Sequence, residues 1–186
     1  MLRAPNVGNV NFVDVDNVGG ARMATAHLIE SGRQRIATIA GPMDMGAGAA
    51  RLAGFRDAMA DAGRTVDAEL IAYGDFTEES GITAMRTLLA ARPDVDAVFA
   101  ANDPMALGAL RVLRESELRV PQDIALVGFD DSVLARQTLP TLTTVHQPIE
   151  EMGRAMVRLL YDKIRGIEPE QPYVILGTHL VERDSG

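Results

Sequence analysis

Apolar positions along the chain form two alternating kinds of segment. Short unbroken apolar runs alternate with longer segments in which apolar residues recur at helical spacing. Unbroken runs are typical of strands buried on both faces, and the helical segments supply the crossover connections of a parallel sheet. The pattern therefore predicts an α/β protein with a doubly wound parallel sheet. The predicted strands are residues 10–15, 36–40, 70–73, 97–100, 124–127, 142–145, 173–176 and 179–181, and the predicted helices are 20–31, 49–62, 78–90, 104–116, 133–136 and 148–165.

Composition and charge exclude several classes of protein. The chain is 47% apolar, which is enough for a core, and its formal net charge of -8 makes it a poor nucleic-acid binder on its own. It has no cysteine, and its three histidines are not spaced as helical metal ligands. We find no secretion signal and no apolar run long enough to span a bilayer. We therefore expect a cytoplasmic protein without metal, cofactor or membrane contact.

Polar residues follow nearly every predicted strand. The carboxyl ends of parallel strands meet at one edge of the sheet, where α/β proteins bind their ligands. Carboxylates and guanidinium groups can each pair with two hydroxyl groups, and an aromatic ring can cover the C–H face of a sugar. This edge therefore suits a hydroxyl-rich ligand such as a sugar or a nucleoside. The residues after the successive strands are Asp16-Asn17, a glycine-rich loop leading to Arg51, Asp75-Phe76, Asn102-Asp103, Phe129-Asp130-Asp131 and His146-Gln147.

Other interpretations of the same residues remain open. We expect Asp103 to cap the helix that follows it, which leaves Asn102 for a ligand, although Asn102 could equally bond its own backbone. Asp131 or Ser132 is expected to cap the short helix near residue 133. Arg51 could instead lie on a solvated helix face, and Phe76 could be an ordinary packing residue.

Recognisable enzyme signatures are missing from the sequence. The loop at 41–48 is rich in glycine, but it matches neither the dinucleotide-binding nor the phosphate-binding spacing. Asp130 and Asp131 are adjacent, so their carboxylates are expected to point in different directions. No nucleophile-elbow motif is present. We therefore expect a binding protein and not an enzyme.

Six stretches together resemble a known family. They are RQRIATIAGP (33–42), RLAGFRDA (51–58), VFAANDPMALGAL (98–110), IALVGFDDS (124–132), LTTVHQPIEEMG (142–153) and LVERDS (180–185). In this order, over nearly the whole chain, they resemble the effector-binding core of LacI/GalR-type transcriptional repressors, which has a periplasmic-binding-protein-like fold. Periplasmic sugar-binding proteins share that fold without these stretches.

The resemblance implies roles for five residues. Arg51, at the start of the R-L-x-G-F helix, would hold ligand hydroxyl groups, as would Asp130, the first aspartate of G-F-D-D. Asn102 of A-N-D would contact the ligand, and Phe76 would stack on it. Gln147 would lie where the chain crosses between two lobes.

The resemblance also implies a division into lobes. Residues 17–147 with 178–186 would form one nearly complete, C-terminal-type effector-binding lobe. Residues 1–16 with 148–177 would be a remnant of the N-terminal-type lobe. The chain begins inside the core, so we expect the DNA-binding headpiece of the family to be absent from it. A homodimer is expected through the more complete lobe, using residues 77–82, 104–116 and 134–139.

The sequence thus predicts the effector-binding and dimerisation core of a LacI-type regulator, with a sugar-like small molecule as its partner and DNA reached only through the missing headpiece. A sugar-binding protein of a transport system is the first alternative. A sugar- or phosphate-processing α/β enzyme is the second.

Overall fold

The computed structural model describes residues 11–167, 171 and 173–186. Strands and helices alternate over most of this part of the chain, as the apolar pattern predicts. The first predicted strand begins at Val10, which lies outside the described residues. Two short 3-10 helices occur at Ala68–Leu70 and Val133–Arg136. The strands are β1 (Phe12–Val15), β2 (Ile36–Ala40), β3 (Ile71–Tyr73), β4 (Ala97–Ala100), β5 (Ala125–Asp130), β6 (Thr143–His146), β7 (Tyr173–Leu176) and β8 (His179–Val181), and the helices are α1 (Asn17–Glu30), α2 (Gly46–Asp61), α3 (Glu78–Ala91), α4 (Asp103–Glu115) and α5 (Ile149–Ile164).

Six strands form the main sheet, in the order β3-β2-β4-β5-β6-β8. The first five are parallel, and β8 runs antiparallel to β6. Strands β1 and β7 form a separate two-stranded parallel sheet. The predicted α/β class with a mainly parallel sheet is confirmed.

Helices cover both faces of the main sheet, so the apolar core has two halves. Helices α1 and α2 pack on one face, around the fully buried Phe55, Phe99 and Phe129. Helices α3 and α4 pack on the other face, around Met85 and Leu113. Burial on both faces explains why the central strands are unbroken apolar runs.

The end of the chain is anchored between two central strands. Ser185 is fully buried, and its hydroxyl group donates to the carbonyl oxygen of Leu126 at 2.6 Å and accepts from the amide of Thr143 at 2.9 Å. This contact joins β5 and the start of β6 at their amino ends. The carboxyl ends of the strands, at the opposite edge, remain free to carry polar side chains.

Helix α5 behaves differently from the other four helices. It contacts β1 but contains no buried residue. Apolar residues form a stripe along this helix: Met152 packs against the core, while Ile149, Met156 and Leu160 are each more than half exposed. The stripe is therefore largely uncovered in this chain.

Candidate functional site

Arg51 is the most deeply buried charged residue at the carboxyl edge of the sheet apart from Asp103. It extends from α2, and only 5% of its surface is exposed. Its Nε donates to Asn17 Oδ1 at 2.9 Å, and its Nη1 donates to the carbonyl oxygen of Ala101 at 2.6 Å. The guanidinium carbon lies 3.7 Å from the centroid of the Phe129 ring, which is a close cation–π contact. The alternative that Arg51 lies on a solvated helix face is wrong.

The hydrogen bonds of Arg51 leave one nitrogen without a protein partner. Nη1 also donates to Asp130 Oδ1, at 3.3 Å, so Nε and Nη1 use three of the five N–H groups. Within the described chain, Nη2 has no acceptor, yet it is not among the atoms that are buried without a partner. It is therefore partly accessible to solvent at this edge. Burial lowers the pKa of Arg51 and Asp130 opposes that effect, but a guanidinium keeps its charge in proteins.

Asp130 is the second charged group of the site. It is the last residue of β5, and its Oδ1 accepts from Gln147 Nε2 at 2.5 Å as well as from Arg51. The pKa of Asp130 is raised to about 6, mainly because the carboxyl group is removed from water. The positive charge of Arg51 opposes this rise, and the neighbouring Asp103 adds to it. The carboxylate is thus ionised at neutral pH and titrates in mildly acidic solution.

The residue that caps α4 is Asn102 and not Asp103. Asn102 is the N-cap of α4, since its Oδ1 accepts from the amide of Met105 at 2.9 Å. Asp103 is fully buried and accepts from Thr144 Oγ1 at 2.6 Å and from the amide of Ser132 at 2.7 Å. The predicted cap at Asp103 is wrong because α4 begins one residue earlier than expected. Burial raises the pKa of Asp103.

Phe76 is held at the site by Asn102. The Nδ2 of Asn102 donates to the carbonyl oxygen of Phe76 at 2.9 Å. The half-buried ring lies 5.8 Å from the guanidinium carbon of Arg51 and packs against Gly41, where a side chain would not fit. All five residues singled out in the sequence therefore form one connected group, although the hydrogen bonds of Asn102 serve the protein itself.

Backbone strain is concentrated at this edge. Four non-glycine residues of the described chain have positive φ, and three of them are Phe76 (70°), Asp130 (124°) and Asp131 (53°). Such a conformation costs about 1–3 kcal/mol per residue and is typical of functional sites.

Asp131 does not cap the short helix, as had been expected. Its side chain is nearly buried and accepts from Arg183, Arg136 and His146. Burial raises the pKa of Asp131, but Arg183 and His146 together hold it below its usual value. Ser132 precedes the short helix without making a side-chain cap. The Asp131 cluster therefore anchors the end of β5 next to Asp130.

Two further residues of the site were not selected from the sequence. Asn17 and Phe129 were both placed on the predicted edge without a role, and their contacts with Arg51 depend on how α2 packs. An open cleft of about 570 Å³ adjoins this group. Asp130, His146 and Gln147 line one side of it, and the first turn of α5 with Glu150 lines the other.

Residues 11–167, 171 and 173–186 contain no group of three or more histidine, aspartate or glutamate side chains arranged to hold a metal ion. None of their helices is long and apolar enough to cross a membrane.

Comparison with known proteins decides the family. A profile of the periplasmic binding protein-like domain matches residues 25–186. The chain belongs to this family. The transcriptional regulator CelR of Thermobifida fusca, which is of the helix-turn-helix type, is 57% identical over 177 residues, covering 95% of this chain and 52% of the relative. The chain spans about half the length of the curated relatives that it matches.

Solved structures agree with this assignment. A complex of CelR with cellobiose is 56% identical to this chain and superimposes with a TM-score of 0.94, covering 100% of this chain and 56% of the other. A lac repressor dimer bound to operator and an anti-inducer is 31% identical with a TM-score of 0.88, covering 97% and 62%. The resemblance to the effector-binding core of LacI-type regulators is confirmed, and a transport protein is not favoured. These relatives are named as regulators, not as enzymes.

The raised pKa of Asp130 leads to a prediction about stability. A carboxyl group whose pKa is higher in the folded state stabilises the fold at low pH, and this contribution is lost as the pH rises through about 6. Relative to Asp130→Asn, the wild-type chain should lose about 2 kcal/mol of unfolding free energy between about pH 4 and about pH 7.5. Urea denaturation of both proteins at each pH measures this difference. The prediction is contradicted if the unfolding free energy of the wild type, relative to that of Asp130→Asn, stays constant or increases as the pH rises.

Proposed function

We propose that this chain is the part of a LacI-type transcriptional regulator that recognises a hydroxyl-rich small effector, and that recognition occurs at Arg51 and Asp130. The observation that carries the proposal is the Nη2 group of Arg51. It belongs to a buried guanidinium, has no acceptor in the described chain and is partly accessible to solvent. Hydrogen bonds to charged groups contribute about 1.5–3 kcal/mol each, so an effector oxygen placed there would gain substantially.

The other residues complete a site for a sugar. Asp130 can accept from hydroxyl groups while Arg51 Nη2 donates to them, which matches the paired donor and acceptor character of neighbouring hydroxyls. Phe76 offers an aromatic face to the C–H side of the ring. Gln147 and the effector would both donate hydrogen bonds to the carboxylate of Asp130. Asn102 positions Phe76 and keeps a second N–H on Nδ2 that it can offer to a ligand.

Cellobiose is the first effector to test. The structure at 56% identity is a complex with this disaccharide. Its size suits an open edge that continues into a cleft. We propose no catalytic role for the chain.

We further propose that residues 17–147 with 178–186 act as one lobe, while residues 1–16 with 148–177 belong to a second. An effector held between two lobes changes their arrangement only by binding one arrangement more tightly than the other. In regulators longer than this chain, a DNA-binding headpiece would respond to that change in the cytoplasm.

Binding can be measured by NMR, which detects weak complexes and suits a chain of 20.0 kDa. Titration of the ¹⁵N-labelled chain with cellobiose should shift the Arg51 Nε–H signal in a saturable manner. Asp130→Ala should weaken binding by about ten-fold or more, because it removes a charged hydrogen-bond acceptor. Ribose and adenosine, titrated in parallel, report whether another hydroxyl-rich ligand is preferred.

Glu30→Gln is the matched control, since Glu30 is an exposed acidic residue at the opposite end of α1 from Asn17. It should leave the affinity unchanged. The proposal is wrong if none of these ligands shifts the Arg51 signal, or if Glu30→Gln abolishes binding while Asp130→Ala does not.

A homodimer is the second proposal. It is supported by three exposed apolar side chains around the short helix Val133–Arg136: Val133, Leu134 and Leu139 are 72%, 48% and 81% exposed. Exposed apolar patches of this kind are typical of protein interfaces. The related lac repressor structure is a dimer.

Light scattering at about 10 µM should give twice the chain mass of 20.0 kDa. Leu139→Asp should halve the measured mass, because it places a charge in the proposed interface. Val157→Asp is the matched control, since Val157 is 68% exposed but lies on α5. If only Val157→Asp produces monomers, the dimer forms through α5 and not through residues 133–139.

A further inference from the structure

Asn17 has polar contacts that its position in the helix does not explain. It is the first residue of α1, but Asp16 provides the N-cap by accepting from the amide of Gly19 at 2.8 Å. Only 4% of Asn17 is exposed. Its Nδ2 donates to Asp14 Oδ1 at 2.9 Å and to the carbonyl oxygen of Val15 at 3.2 Å. Its Oδ1 accepts from Arg51 Nε at 2.9 Å.

These contacts require an amide side chain in one orientation. An ionised aspartate only accepts hydrogen bonds and a guanidinium only donates them. Asp14 therefore attracts the nitrogen of Asn17 and Arg51 attracts its oxygen. No other common side chain of this size both donates to a carboxylate and accepts from a guanidinium at opposite ends of one planar group.

The contact at Nε determines which nitrogen of Arg51 is left without a protein partner. With Nε held by Asn17 and Nη1 held by the carbonyl oxygen of Ala101, the planar guanidinium cannot rotate, and Nη2 is left outward. The same bonds form a continuous path through the proposed site. It runs from Asp14 on β1 through Asn17, Arg51 and Asp130 to Gln147 after β6.

We propose that Asn17, oriented by Asp14, is the positioning residue for Arg51: it selects Nη2 as the donor offered to an effector and links the effector site to strand β1. The part of this inference that concerns the effector rests on the function proposed above. The part that concerns Arg51 can be tested without any ligand.

The ligand-free test uses Asn17→Ala. Arg51 Nε–H loses its acceptor, so its hydrogen exchange with solvent should become at least about ten-fold faster. Arg51 also becomes free to turn away from Asp130, which faces Arg51, Asp103 and Gln147. Loss of a nearby positive charge should then raise the pKa of Asp130 by about half a unit or more, measured by ¹³C NMR of its carboxyl group. Thr25→Val is the matched control, because it removes another buried hydrogen bond of α1 that does not reach Arg51.

A second variant keeps the test decisive if Asn17→Ala fails to fold. Asn17→Asp places two carboxylates in contact, and repulsion from Asp14 should displace the new carboxylate from its hydrogen bond with Arg51 Nε, so that exchange at Nε–H becomes faster. The double variant Asp14→Asn with Asn17→Asp restores a donor opposite an acceptor, since the new amide donates to the new carboxylate, which still accepts from Arg51 Nε. Exchange at Arg51 Nε–H should return towards the wild-type rate. A merely structural role for Asn17 would not predict this recovery.

The effector test follows from the same variants. Asn17→Ala should weaken cellobiose binding by about ten-fold, as expected for a residue that orients a ligand-binding side chain, and the double variant should recover most of the affinity. If the wild-type chain binds no sugar, the proposed function fails, but slow exchange at Arg51 Nε–H that depends on Asn17 would still support the positioning role. If Asn17→Ala behaves like Thr25→Val in both exchange and Asp130 pKa, the positioning role is overturned.

Discussion

The burial of the Arg51 guanidinium is the interaction on which the rest of the site depends. A charged group taken out of water is tolerated only where acceptors or π-faces replace the water. Here the Phe129 ring lies against one face of the guanidinium, and Asn17, Ala101 and Asp130 accept three of its N–H groups. The remaining nitrogen, Nη2, has no acceptor within the described chain. This incomplete set of partners is the basis of the effector site proposed above.

The structure around Arg51 is organised to keep that arrangement in place. Asp130 has a strained backbone conformation at the end of β5. The side chain of the neighbouring Asp131 accepts a hydrogen bond from Arg183, which follows β8. Asn102 caps α4 and holds Phe76 in its own strained conformation with the same side chain. All three strained residues, Phe76, Asp130 and Asp131, are therefore restrained by contacts with other segments, which is how such strain persists in folded proteins.

Much of this could be predicted from the sequence, for identifiable reasons. Strands β2 and β4 were predicted to the residue because strands buried on both faces are unbroken apolar runs. The candidate residues came together because parallel strands end at one edge of the sheet. The prediction of Asp103 as the cap of α4 was wrong because Asn102 and Asp103 can both cap a helix. A shift of one residue in the start of the helix decides between them. The roles of Asn17 and Asp131 depend on partners 34 and 52 residues away, Arg51 and Arg183, which no local pattern identifies.

The most direct test of the central claim is a crystal structure of the chain with cellobiose bound. We predict a hydroxyl oxygen of the sugar within hydrogen-bond distance of Arg51 Nη2, about 2.9 Å, with Arg51 Nε still bonded to Asn17. A sugar bound in the cleft beside α5, with Arg51 Nη2 facing only water, would contradict the account.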